Sequence, residues 1–110
     1  PFYELLYLPL KEDAAPPKFA PQVKKPCIDK KGFVLFYTNQ CPFTAKYVPL
    51  IESAAKEMGL LFRSEWIESC EQAQNAPVAF TTYGLFYDGR YLTNEILSVK
   101  KFEKLVSDIL

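Results

Sequence analysis

Chemistry in this chain has to be built without histidine, since none occurs among its 110 residues. That removes the usual general base, the commonest zinc ligand and every Ser-His or Cys-His nucleophile pair. The remaining reactive groups are three thiols, Cys27, Cys41 and Cys70, together with hydroxyls and carboxylates. Cys41 is followed at once by Pro42, and proline suits the first turn of a helix because its missing N–H is unsatisfied there anyway. A thiol in that position sees the partial positive charge of the helix end, which favours the nucleophilic thiolate. An odd number of cysteines cannot all pair within one chain. Cys27 lies in a proline- and lysine-rich stretch and reads as an incidental thiol. The acids Glu52, Glu57, Glu68, Glu71 and Glu95 show no spacing that would make a catalytic pair, and solvated faces account for them. With no histidine and no Cys-x-x-Cys, no metal site is expected.

The elements that must position Cys41 are legible from residue 32 onward. Phe33 to Thr38 is a continuous β-branched and aromatic run, the pattern of a strand covered on both faces. A helix is predicted from Pro42 to about Met58, with Tyr47, Ile51, Ala54, Ala55 and Met58 on one stripe and Gly59 ending it. Residues 60–67 read as a second strand and 68–74 as a short helix. A long strand is predicted over 78–87, the turn pair Asp88-Gly89 makes a hairpin, and 90–97 is the return strand. Ser98 caps a last amphipathic helix with Val99, Phe102, Leu105, Val106 and Ile109 on one face. The crossover helix makes the first two strands parallel, and the hairpin makes the last two antiparallel. Among the aromatics, Tyr37, Trp66, Tyr83 and Phe86 are expected in the core.

Before this unit the texture differs. Residues 1–10 read as an apolar strand in need of a partner, and residues 11–31 as an extended Pro/Lys-rich linker. The domain itself is expected to occupy residues 32–110. Lysine plus arginine and aspartate plus glutamate number 13 each, which argues against a binder of nucleic acid driven by phosphate neutralisation. No apolar run approaches the ~18–20 residues needed to span a bilayer. No signal peptide opens the chain, so a reduced, cytoplasmic setting is expected. Since the first residue is Pro1 rather than methionine, a piece of a longer protein is also expected.

The order β-α-β-α-β-β-α resembles the thioredoxin fold: an α/β domain with a mixed four-stranded sheet flanked by helices, here with an extended N-terminal arm. Cys41-Pro42-Phe43-Thr44 stands where that superfamily carries Cys-x-x-Cys or Cys-x-x-Ser, and Pro49 resembles its helix-kinking proline. Ala76-Pro77 resembles the cis-proline that faces the active cysteine. The run Phe86-Tyr87-Asp88-Gly89-Arg90-Tyr91-Leu92-Thr93-Asn94-Glu95-Ile96-Leu97, followed by Lys100-Lys101-Phe102-Glu103, is similar to the YoaP-like domain found behind GNAT-type N-acetyltransferase domains. Phe2 to Tyr7 is similar to the last strand of such an acetyltransferase.

The resemblance implies an accessory domain following an acetyltransferase, with a thiol or peptide bound near Cys41 and Pro77. It implies Cys41 as the candidate thiol and Thr44 as a hydrogen-bond donor to it, in place of the usual resolving cysteine. Cys70, at the same strand end, becomes a candidate remote resolving thiol. Phe43, which faces outward in this fold, and Ala76 with Pro77 become the ligand-contacting residues, with Ala76–Pro77 cis. The alternative is a monothiol oxidoreductase of the glutaredoxin type using Cys41, although Lys46 is the nearest cation for a glutathione carboxylate. The acetyl-CoA pattern Arg/Gln-x-x-Gly-x-Gly/Ala does not occur in these residues. No cofactor is therefore expected in this segment, and acetyl-CoA is expected only for an upstream domain.

Overall fold

The computed structural model describes residues 4–110. A one-turn helix α1 (Pro21–Lys24) precedes β1 (Phe33–Tyr37), α2 (Pro42–Glu57), β2 (Phe62–Trp66) and α3 (Cys70–Gln74). Then come β3 (Tyr83–Tyr87), β4 (Arg90–Thr93) and α4 (Val99–Ile109). The four strands form one sheet in the order β2-β1-β3-β4. β1 runs parallel to β2 and antiparallel to β3, and β3 pairs antiparallel with β4. This is the mixed sheet the sequence predicts, in a thioredoxin-like arrangement.

β1 is apolar throughout because both of its faces are covered. Phe33 and Leu35 face a core completed by Val48, Ile51 and Ala55 of α2 and by Phe102 and Val106 of α4. Val34 faces a second core with Ile67, Ala76, Val78 and Phe86, against which Ala73 of α3 packs. Alternation along a strand sends neighbouring side chains to opposite faces, so one five-residue strand anchors both layers. Local signals hold the ends in place. The Ser98 hydroxyl accepts from the Lys101 N–H at the start of α4. Ser69 and Gln72 form a reciprocal capping box at α3. Gly59, at φ 70°, follows the last turn of α2.

Several expectations need correcting. The stripe that α2 buries is Thr44, Val48, Ile51 and Ala55, whereas Met58 is exposed. The third strand is shorter than predicted. Only Tyr83–Tyr87 pairs, because β1 ends at Tyr37 and residues 78–82 have no neighbouring strand to bond. The return strand stops at Thr93, whose hydroxyl accepts from the Glu95 N–H and turns the chain. The strand expected over residues 1–10 falls partly outside the described residues. Residues 4–10 form no strand, and Leu6, Leu8 and Leu10 are more than four-fifths exposed.

Residues 21–31 are also more than a linker. Val23 of α1 is buried, the Gln22 side chain donates to the Gln74 carbonyl, and Cys27 bridges to Arg90. The Ile28 N–H donates to the Gly89 carbonyl. The loosely held arm therefore ends near residue 20, before α1. No described helix is long and apolar enough to cross a membrane.

Candidate functional site

Two loops and a helix end meet where β1 finishes. Cys41 has extended backbone angles (φ −115°, ψ 127°) and caps α2, with Pro42 in the first helical position. Its carbonyl accepts from the Thr44 N–H at 3.1 Å, while its sulfur makes no capping hydrogen bond. The thiol is half-buried, and Phe43, two residues further on, is 59% exposed. Lys46, the nearest cation in sequence, lies over the ring of Tyr47 at 5.3 Å from its centroid.

Thr44 makes no hydrogen bond to the thiol. It is fully buried, and its hydroxyl has no hydrogen-bond partner. Replacing an unpartnered buried hydroxyl by a methyl of the same shape removes a desolvation cost of about 1–3 kcal/mol. Thr44→Val is therefore expected to stabilise the chain by about 1 kcal/mol in urea unfolding. In a Cys27→Ser, Cys70→Ser background it is expected to leave the iodoacetamide reactivity of Cys41 within about two-fold, since on this geometry no bond to sulfur is lost. Destabilisation together with a large loss of reactivity would instead place the Thr44 hydroxyl on the thiolate.

Ala76–Pro77 lacks the cis bond that the resemblance implied. Ala76 is buried in the second core, and no peptide bond among the described residues is cis, so the Ala76–Pro77 bond is trans. Pro77 lies six residues before β3 begins, and the chain reaches the Cys41 loop only later. The Thr82 hydroxyl donates to the Gln40 side-chain oxygen at 3.2 Å, and the Thr38 N–H donates to the Thr82 carbonyl at 3.3 Å. Thr82 thus hydrogen-bonds the loop that leads to Cys41, and Thr81 lines a cleft together with Gln40 of that loop. Sequence reading passed over them because two threonines inside an apolar β-prone run look like strand.

Cys70 is exposed at the first position of α3, and like Cys27 and Cys41 it forms no disulfide. It lines a cleft on the α3 side of the same sheet end, together with Gln40 of the Cys41 loop. Trp66, expected in the core, is half exposed at the end of edge strand β2 and lines this cleft as well. Tyr83 is fully buried as expected. Burial pushes its phenol up to about 12, with the Leu97 backbone pulling the other way without reaching hydrogen-bond geometry. No three described His, Cys, Asp or Glu side chains are grouped so as to hold a metal ion.

A mixed four-stranded sheet with a cysteine capping the helix after its first strand defines the class of this domain: α/β, in a thioredoxin-like arrangement. Residues 62–104 match the model of the YoaP-like family. Over 109 residues the chain is 38% identical to a Bacillus subtilis (strain 168) protein named uncharacterized N-acetyltransferase YoaP. The chain thus carries a YoaP-like domain. That alignment takes in 99% of this chain and 43% of the relative, so the chain spans less than half the relative's length. No solved structure matches it.

Proposed function

We propose that this chain is the thioredoxin-like accessory part of a GNAT-type N-acetyltransferase, lying after the domain that binds acetyl-CoA. In this role it presents the Cys41 and Phe43 end of its sheet to a thiol or an extended peptide. The observation carrying the reading is the 38% identity over nearly the whole chain to a relative named as an N-acetyltransferase and more than twice as long. The exposed leucines of residues 5–10 support it, because an apolar run of this kind is stabilised when a neighbouring domain covers it. The half-buried thiol and the exposed Phe43 ring offer a peptide a reactive group and an apolar contact.

The test is calorimetric. Titrated with acetyl-CoA, the 110-residue chain is expected to give no saturable heat, whereas the full-length Bacillus subtilis relative binds it. Binding by the 110 residues alone, or none by the full-length relative, overturns the assignment. Reduction of a glutathione mixed disulfide by the chain alone, lost in Cys41→Ser, would put the monothiol oxidoreductase in its place.

A further inference from the structure

The cleft beside α3 has a volume of about 520 Å3 and opens where β1 and β2 end. Thr38, Asn39, Trp66, Glu68, Cys70 and Thr81 are among the residues lining it, and Cys41 is not. Thr38 is more than nine-tenths buried, and its hydroxyl has no hydrogen-bond partner. That oxygen is closed to solvent, so a polar ligand satisfies it once the Thr38 side chain turns toward the cleft. The charge of the lining is one-sided. Glu68 is its only charged residue, and that carboxylate makes no ion pair among the described residues. The cations Lys30 and Arg63 are both engaged by Glu65. Trp66 is 50% exposed, and the face of an indole attracts cations more strongly than that of any other side chain.

We propose that this cleft binds its ligand through an alkylammonium group, recognised by the Glu68 carboxylate, the Trp66 ring and the Thr38 hydroxyl oxygen. Each supplies what an ammonium requires: a counter-charge, a π face and an acceptor for one of its three N–H donors. Anionic ligands are disfavoured, since no lysine or arginine lines the cleft. The assignment does not rest on the acetyltransferase reading and makes no use of Cys41.

Trp66 is the only tryptophan in the chain, so intrinsic fluorescence reports on this cleft. The 110-residue chain is titrated with butylammonium, Nα-acetyl-lysine methylamide, its neutral norleucine counterpart and its acidic glutamate counterpart. A saturable change at millimolar concentration is expected with the first two alone. Tighter binding of the lysine derivative assigns the site to peptide side chains, and equal binding assigns it to free amines. Glu68→Gln leaves the capping box intact, because only the Glu68 backbone N–H donates to Gln72. It is expected to weaken ammonium binding about two- to five-fold with no change in unfolding midpoint. In a Cys27→Ser, Cys41→Ser background the bound ammonium is expected to slow alkylation of Cys70. No saturable response, an equal response to the acidic probe, or unchanged affinity in Glu68→Gln overturns the proposal.

Discussion

Truncating Phe102 to alanine is expected to cost about 3–5 kcal/mol, the range for removing a buried aromatic side chain from a packed core. Phe102 is completely buried on α4. Its ring meets Phe33 of β1 edge-on at 5.4 Å and Phe62 of β2 nearly perpendicularly at 6.0 Å between centroids. Phe33 in turn lies 4.6 Å from the Tyr87 ring, so the removed ring is part of a connected aromatic set reaching three strands. Such pairs add about 0.5–1.5 kcal/mol each beyond the area they bury. Domains of this size have roughly 5–15 kcal/mol of total stability, so the variant sits at the edge of folding. At about 4 °C per kcal/mol, the melting midpoint is expected to fall by roughly 12–20 °C. Phe102→Leu keeps much of the volume and is expected to cost less than half as much, which leaves a measurable protein if the alanine variant fails to fold. A loss below about 1 kcal/mol for Phe102→Ala would mean that α4 is not the cover of this core.

The parts of this fold that sequence made legible are those fixed by local chemistry or by period. Ser98 caps α4, Gly59 follows α2, and of the expected face Phe102, Leu105, Val106 and Ile109 pack inward from α4. What stayed hidden depends on which strands have partners. Val78 to Thr82 has the composition of a strand, but its neighbour β1 has already turned into α2 at that level. Trp66 looks like core and is exposed because it ends an edge strand. In the Pro/Lys-rich stretch the anchors are single apolar residues, Val23 and Ile28, too sparse to show a period. Cys41 at the mouth of α2 was readable from Pro42 alone. Thr82 and the cleft were not, since residues far apart in the chain form them only when the sheet assembles.

Gly89→Ala is the second large expected effect, because two separate constraints require glycine there. The hairpin places Asp88 and Gly89 at φ 47° and 85°, both in the left-handed region that tight two-residue turns use. A side chain at 89 would be strained by about 1–2 kcal/mol from backbone conformation alone. Its Cβ would also stand 2.4 Å from the Ile28 carbonyl oxygen, where no backbone atom can yield without moving the segment. That segment is tied to the turn through the Ile28 N–H donating to the Gly89 carbonyl and through the Cys27–Arg90 bridge. The turn is itself pinned to the start of β1, with the Asp88 carboxylate accepting from the Gly32 N–H at 2.7 Å. Alanine is therefore expected to push residues 21–31 off the sheet edge at a total cost of about 2–4 kcal/mol. Gly59 supplies the control, since its φ is also positive (70°) but nothing lies within 4 Å of a Cβ built there. Gly59→Ala should show only the conformational part, about 1 kcal/mol. Limited trypsin digestion separates the two effects. The native chain and Gly59→Ala are expected to be cut at Lys11 and Lys18 and protected at Lys24, Lys30 and Lys31, whereas Gly89→Ala opens those three sites. The Lys25–Pro26 bond resists trypsin in every variant. Equal destabilisation of the two variants, with the three lysines protected in both, would show that residues 21–31 are not held by the hairpin.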